Sequence, residues 1–115
     1  VLDAGEGWGF RLFERRAGDF ALVVVGATVR LAAGNKAERV RLAVGGVGPV
    51  PVLLADVAAA VEGAIADTAW AKAVGLAAAK AVDPEDGRIS AAYRRDLVAA
   101  LVEDALNDSR AGAKQ

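Results

Sequence analysis

Aromatic and charged residues that suit the binding of a flat ligand are concentrated at residues 8–21. An arginine pair, Arg15 and Arg16, is followed there by a Gly-Asp turn that leads into an aromatic residue, Phe20. An aromatic ring at a loop-to-strand junction can stack on a heterocycle, and neighbouring Arg and Asp19 side chains can hold such a loop by charge-assisted hydrogen bonds. A helix packed onto a sheet explains the same residues, and on this stretch alone we favour that structural explanation.

The usual catalytic and metal-binding residue types are missing from the rest of the sequence. The chain contains no cysteine and no histidine, which excludes thiolate nucleophiles, disulfides and the commonest general base. Adjacent carboxylates at Glu103 and Asp104 point in different directions on a helix, so they cannot act as an acid–base pair. The glycine-rich loop at 45–49 lacks the Lys-Ser/Thr of a phosphate-binding loop, and the arginines at 94–95 are better explained by surface ion pairs than by a phosphate. We therefore predict no catalytic residue and no metal ligand.

Composition is typical of one small globular domain. With 115 residues, of which 55% are hydrophobic, the chain can bury one modest core, and we predict a single domain over residues 1–115. The net charge of −1 is scattered, so we expect neither a nucleic-acid partner nor a membrane surface. No apolar run is long enough to span a bilayer and no signal peptide is visible, and we expect a cytoplasmic location.

Hydrophobic periodicity and turn residues predict strands first and helices after them. Residues 20–31 form a valine-rich segment that is apolar on both faces, so both faces should be covered, one of them by a partner. In the segment 38–44, Val40, Leu42 and Val44 alternate with arginines and should face the core. This segregation gives the α+β class, an antiparallel sheet of three to four strands packed against helices. The predicted order is a flexible glycine-rich segment at 1–9, a short helix at 10–16, strands at 20–31, 38–44 and 50–54 with a hairpin turn at 34–36, helices capped by Asp56, Asp67 and Ser90, and a polar tail after Ser109.

Three blocks of sequence, taken together and in order, resemble a known family. The first is the stretch at 8–21, the second is the strand and glycine-rich loop at 41–51, and the third is the start of the last helix at 90–97. They are similar to the C-terminal domain of the FAD-binding medium subunit of molybdenum hydroxylases, the family of carbon monoxide dehydrogenase and xanthine dehydrogenase. The residues that match the pattern of the first block are Gly9, Phe10, Arg15, Arg16, Gly18, Asp19, Phe20 and Ala21.

The resemblance implies a cofactor and partners. In this family FAD is held mostly by upstream domains of the same subunit, whose glycine-rich motifs are not in this sequence, and the C-terminal domain closes over the flavin ring. Phe20 would then pack on the ring, with Asp19, Arg15 and Arg16 shaping its loop. The partners implied are the upstream FAD-binding domains, the molybdenum-binding large subunit and the iron–sulfur small subunit.

We therefore predict an electron-transfer module, in which flavin takes electrons from iron–sulfur clusters and passes them to an external acceptor. The whole complex would be an oxidoreductase, whereas this domain alone would position the cofactor without catalysing a reaction or binding FAD by itself. Three positions depart from the family: Phe20 replaces a frequent tyrosine, and Leu53 and Asp104 replace frequent arginines.

The alternative to a domain of a flavin-containing oxidoreductase is a non-enzymatic subunit-interaction module without its own cofactor. The interface domain of pyridine-nucleotide disulfide reductases has a related layout but requires a histidine that this sequence lacks. A stand-alone hydrolase would require a nucleophile–base constellation, and none is visible.

Overall fold

The valine-rich segment forms a central strand of an antiparallel sheet. In the computed structural model, which describes residues 6–13, 23–45, 52–82 and 91–113, four strands pair in the order β1-β2-β3-β4. Helices cover one face of the sheet, which confirms the α+β class. The strands are β1 (Glu6–Phe13), β2 (Val23–Ala32), β3 (Lys36–Gly45) and β4 (Val52–Leu53), and the helices are α1 (Ala55–Ala60), α2 (Thr68–Ala81) and α3 (Ala91–Ala113).

Alternation along β2 and β3 decides which side chains enter the core. Every second residue of β2 from Val23 to Val29 is buried, and its neighbours on the other face are half-buried. On β3, the predicted inward residues Val40, Leu42 and Val44 are all buried, and Arg39 and Arg41 are exposed. Because strand side chains alternate between faces, the sheet has an inner face under the helices and an outer face opposite them.

The first strand, β1, replaces the flexible segment and the short helix that periodicity predicts for residues 1–16. Residues 6–13 pair with β2 along their whole length, from Glu6 opposite Arg30 to Phe13 opposite Val23. The helical spacing of Phe10 and Phe13 was misleading because pairing with a buried neighbouring strand outweighs local preference.

Left-handed residues close the hairpin between β2 and β3. A single 3₁₀ turn at Ala33–Asn35 contains Gly34 with φ of 77° and Asn35 with φ of 60°. Glycine and asparagine tolerate this region better than other residues. The turn predicted at 34–36 is therefore confirmed, and we call this end of the sheet the turn end.

The segment after α1 protects the part of the β3 edge that β4 leaves uncovered. The Val40 N–H donates to Glu62 Oε2 at 2.9 Å. Ala37 exchanges backbone hydrogen bonds with the same segment, accepting from the Gly63 N–H at 2.7 Å and donating to the Ala64 carbonyl at 2.8 Å. These contacts satisfy strand groups that would otherwise form an open edge.

Two of the predicted helix caps have different outcomes. Asp67 caps α2 as predicted, since its Oδ1 accepts the Trp70 N–H at 2.8 Å. Asp56 does not cap α1, because the helix begins at Ala55 and Asp56 lies within its first turn. Trp70 is a core residue, as its helical stripe predicts, and its Nε1 donates to the Val61 carbonyl at 3.1 Å.

The last helix extends past Ser109 into the segment that is predicted to be a polar tail. Ser109 is fully buried, and its Oγ lies 2.7 Å from the Ala105 carbonyl and 3.2 Å from the Ala27 carbonyl, which share its single proton. Arg110 Nη1 donates to the Ala66 carbonyl at 3.1 Å. Tertiary contacts therefore hold this end of α3 in helical form through Ala113. Its fully buried residues are Val98, Val102, Ala105, Leu106 and Ser109, whereas the predicted stripe residues Leu97 and Leu101 are half-buried.

Close backbone contacts fix the direction of α3. Gly9 of β1 lies directly against the backbone of Ala105, and Gly7 lies against Gly112, with a Cβ built at Gly112 falling 3.4 Å from Gly7 Cα. As β1 proceeds from Gly7 to Gly9, its contacts move backward along α3. The helix therefore runs antiparallel to β1 and begins on the side of the sheet where β1 ends.

The same reasoning orients α2. Arg110 near the end of α3 reaches Ala66, just before α2. Gly75, in the middle of α2, packs against the Ala99 carbonyl further back along α3. The two helices are therefore antiparallel, and α2 ends on the side where α3 begins. Neither of these two helices, nor the shorter α1, is long and apolar enough to cross a bilayer.

Candidate functional site

The residues predicted to face the flavin lie in the connection between β1 and β2, and the strand residues on either side of this connection pair with each other. Phe20, Asp19, Arg15 and Arg16 lie outside the described residues. The strand residues that flank them, Phe13 and Val23, are register partners in β1 and β2. The connection at 14–22 therefore leaves and re-enters the sheet at the end opposite the turn end.

The second sequence block reaches the same end of the sheet. Gly45, the last residue of β3, is the register partner of Val24 at the start of β2. Val44 pairs in turn with Val52, the first residue of β4. The glycine-rich connection at 46–51 lies outside the described residues, but both of its flanks are at this end.

The third block also begins on this side. Because α2 and α3 are antiparallel, the last residue of α2, Ala81, and the first of α3, Ala91, are at the end away from the 3₁₀ turn. All three blocks therefore have flanks at one end of the domain, which we call the motif end and define by Phe13, Val23, Gly45, Val52, Ala81 and Ala91. Spacing along the sequence does not reveal this convergence, because it depends on the antiparallel order of strands and helices.

An apolar groove lies on the outer face of the sheet. Phe10, Gly26, Ala43 and Leu53 form a row across all four strands, since each is the register partner of the next. The two small residues are the floor, and the larger side chains at the two ends are the walls. The groove has a volume of about 400 Å³, which is within the range of small-molecule sites.

A second row of side chains borders the groove on the side of the turn end. Trp8, Thr28 and Arg41 are register partners on β1, β2 and β3, and all three line the groove. The Thr28 Oγ1 atom is buried and has no hydrogen-bond partner within the described part of the chain. This hydroxyl is enclosed by the protein itself, so the surface that the groove presents to an occupant is almost wholly apolar.

Charge on the outer face increases toward the turn end. The next row in that direction is Glu6, Arg30 and Arg39, which are register partners on three strands. Arg30 Nε also lies 3.9 Å from Glu38 Oε2. The outer face is therefore apolar near the motif end and charged near the turn end.

On the inner face, an ion pair connects β1 to α3. Arg11 Nη2 lies 2.7 Å from Asp108 Oδ2, and the Arg11 Nε donates to the same oxygen at 2.8 Å. Both side chains are nearly half-exposed, so this pair contributes at most about 1 kcal/mol to stability. Its role is to keep the edge strand in register under the helix.

Nothing in the described residues suggests acid–base or metal chemistry. They contain no cluster of three or more Asp, Glu, His or Cys side chains that could hold a metal ion. Glu103 is half-buried and Asp104 is exposed, on a helix where the side chains of neighbouring residues point in different directions. What the groove offers is aromatic and aliphatic surface with the exposed Arg41 beside it, which suits contact with an apolar surface.

The groove is a feature that sequence reasoning missed. The sequence pattern assigns Phe10 to a short helix and Trp8 to the flexible segment before it, yet these two aromatic residues are two positions apart and separated by a glycine. In a strand this spacing places both aromatic rings on one face and Gly7 and Gly9 on the other. The alternation of aromatic residues with glycine in the sequence is the pattern that could have predicted a strand with both rings on one face.

A protein-family model supports the resemblance seen in the three blocks. The model of the CO dehydrogenase flavoprotein C-terminal domain matches residues 8–109 of the chain. A search of curated protein sequences gave no significant match.

Solved structures of oxidoreductases contain the same fold. Reconstituted CO dehydrogenase from Oligotropha carboxidovorans matches with a TM-score of 0.85 and 20% identity, over 97% of this chain and 39% of its own. The CO dehydrogenase from Hydrogenophaga pseudoflava matches with a TM-score of 0.85 and 25% identity, over 96% and 39%. Quinoline 2-oxidoreductase from Pseudomonas putida 86 matches with a TM-score of 0.85 and 23% identity, again over 96% and 39%. The chain thus spans 39% of the length of each of these relatives.

Proposed function

Because the chain belongs to the CO dehydrogenase flavoprotein C-terminal domain family, we propose that its motif end closes over the flavin of the FAD-binding subunit of a molybdenum hydroxylase. The observation that carries this proposal is the common position of the flanks of all three blocks. Residues 14–22, 46–51 and 83–90 connect elements that end and begin at the motif end. A ligand at that end could contact all three blocks at once, whereas a ligand at the turn end could contact none of these connections.

The described residues fit the ring system of FAD better than its pyrophosphate. The outer-face row nearest the motif end contains Val24 and its register partner Gly45, which are half-buried and carry no charge. The flanks of the motif end could therefore border the flat ring and exclude water from it. A glycine-rich turn that opens a helix, as pyrophosphate binding requires, does not occur among the described residues.

FAD, when bound, would accept and release the electrons. The chain's own residues would position and shield it: Phe20 would pack against one face of the ring. Asp19 with Arg15 and Arg16 would hold the loop that carries Phe20. None of these residues would transfer a proton, so the role of the domain would be to orient the ring and set its surroundings.

The proposal extends to partners and location. Upstream domains of the same polypeptide would hold most of FAD, an iron–sulfur subunit would deliver electrons, and a molybdenum-binding subunit would oxidise the substrate. Such a complex would work in the cytoplasm. A length of 39% of each relative is compatible with a domain that depends on further polypeptide.

The alternative, a subunit-interaction module without its own cofactor, has one observation in its favour. Trp8, Phe10 and Leu53 are large hydrophobic residues with 63%, 53% and 69% of their surfaces exposed on one face of the sheet. Such a concentration is typical of an interaction surface. The two functions differ in what they predict for Phe20, which only the flavin proposal requires to contact a cofactor.

Substitution of Phe20 tests the proposal in the complete flavoprotein polypeptide. We expect Phe20→Ala to weaken FAD binding by roughly three- to tenfold, the effect of losing one aromatic contact, and to shift the visible absorbance of the flavin. Phe20→Tyr is the matched control, because it keeps the ring and should keep both properties. Unchanged FAD affinity and spectrum in Phe20→Ala would contradict the assignment.

A further inference from the structure

The outer face of the sheet has the properties of a surface that is covered in the mature protein. Its three large exposed residues, Trp8, Phe10 and Leu53, surround a floor made of Gly26 and Ala43. Scattered exposed hydrophobic residues are normal, but a contiguous apolar groove between two aromatic residues and a leucine is not. On the inner face, by contrast, the helices already bury the sheet.

The position of the groove restricts what can cover it. Its apolar row, from Phe10 to Leu53, is the one nearer the motif end, whereas the charged row that begins at Glu6 is nearer the turn end. A partner that reaches the flavin at the motif end would therefore meet the apolar part of the face directly beside it. The rim of the interface with that partner would then lie at the charged row, where contact with water is tolerated.

We propose that the outer face is a docking surface for another segment of the same flavoprotein polypeptide. This inference rests on the proposed function. It is supported by length, since matching relatives contain well over half of their chain outside this fold, and by the continuity of the groove with the motif end.

The lining of the groove defines the chemistry of this segment. It places apolar side chains on the floor between Phe10 and Leu53. It also supplies a main-chain or carboxylate oxygen for the exposed Arg41 side chain at the border of the groove.

Radical footprinting of the complete subunit directly measures how far Trp8 is protected from solvent. The chain has two tryptophans, and Trp70 is an internal reference because it is buried in the core. If the outer face were open, Trp8 would be oxidised roughly ninefold faster than Trp70, the ratio of their exposed fractions, 63% and 7%. We expect a ratio below about threefold in the complete subunit, because covered residues resemble the core in accessibility.

A substitution at the floor of the groove separates docking from folding. A Cβ built at Gly26 meets no atom within 4 Å, so Gly26→Ala fits the domain itself, and Gly26→Val adds two methyl groups on the open side of the sheet, with urea unfolding of the variant chain as the check that it folds. In the complete subunit we expect Gly26→Val to restore fast oxidation of Trp8, and the smaller Gly26→Ala to do so less. Unchanged protection of Trp8 in Gly26→Val would overturn the docking.

The outcomes distinguish this inference from the proposed function. A complete subunit that contains FAD but leaves Trp8 open to oxidation overturns the docking surface and leaves the flavin role intact. A complete polypeptide that binds no FAD overturns the proposed function, whatever the oxidation of Trp8. Protection that appears only with concentration, together with a dimer mass by light scattering, identifies a second copy as the occupant and overturns our choice.

Discussion

Gly9→Ala should lower the free energy of unfolding of the domain by about 3 kcal/mol or more, the upper range for overpacked sites. A Cβ at Gly9 would overlap the carbonyl oxygen of Ala105 and lie 2.8 Å from its carbonyl carbon and 3.0 Å from its Cα. These are backbone atoms of α3, so no rotamer change can relieve the overlap. The helix must move away from the edge strand, which would also weaken the Arg11–Asp108 ion pair.

Urea unfolding of the chain followed by circular dichroism measures this effect, and Gly26→Ala is the matched control. Gly26 is also a strand residue of the same sheet, but it faces open space. Alanine there should be neutral or stabilise by up to about 1 kcal/mol, because glycine loses more backbone entropy on folding. Equal midpoints for the two variants would show that α3 does not lie against β1 as described.

Gly75→Ala should have the second largest effect, again with a loss of about 2–3 kcal/mol. In an exposed helix the same substitution stabilises by up to about 1 kcal/mol, so the expected sign is reversed here by packing. A Cβ at Gly75 would overlap the Ala99 carbonyl oxygen and lie 3.3 Å from its carbon and 3.4 Å from the Glu103 nitrogen. The close approach of α2 and α3 is possible because residue 75 has no side chain.

Gly112→Ala is the helical control for Gly75→Ala. A Cβ at Gly112 makes only ordinary contacts, 3.4 Å from Gly7 Cα and 3.8 Å from the Trp8 nitrogen. We expect thermal unfolding of this variant within a few degrees of the original chain, against a decrease of roughly 10 °C for Gly75→Ala. A stabilising Gly75→Ala would contradict the close packing of α2 against α3.

The parts of the fold that sequence predicted correctly depend on local patterns. Val40, Leu42 and Val44 alternate with arginines, and the Gly34-Asn35 pair suits a left-handed turn, so β3 and its hairpin could be predicted from neighbours alone. Asp67 was identified as a cap because capping is also a local interaction. The family resemblance agreed with this layout and extended it to almost the whole chain.

The parts that sequence missed depend on contacts between distant residues. Residues 6–13 look helical or flexible by themselves and become a strand only because β2 lies beside them. Helix α3 continues past Ser109 because Arg110 and the buried serine find partners on α2's N-terminal connection and on β2. The groove required the register of four strands, which no spacing of Phe10, Gly26 and Leu53 along the chain reveals.

One part of the candidate site was predicted from local sequence motifs, and the other part became visible only from contacts between distant residues. Phe20, Asp19, Arg15 and Arg16 were selected by local motif and lie outside the described residues, so their contact with a flavin remains a prediction. The common end shared by the three blocks could not be obtained from the motifs and required the topology. Together they produce the central claim, that the motif end of this domain faces the flavin.

Photolabelling of the complete subunit with FAD that carries an azide on its ring system tests this claim most directly. After trypsin digestion, the peptide 17–30 contains Phe20, and the peptide 31–36 contains the 3₁₀ turn at the opposite end of the same hairpin. We predict that label is recovered on 17–30, at residues 17–22 when the peptide is sequenced by fragmentation, with or without the peptide 42–72 that contains the second connection, and that residues 28–30 and the peptide 31–36 are unlabelled. Label on 31–36, or on no peptide of this chain, would contradict a motif end that closes over the flavin.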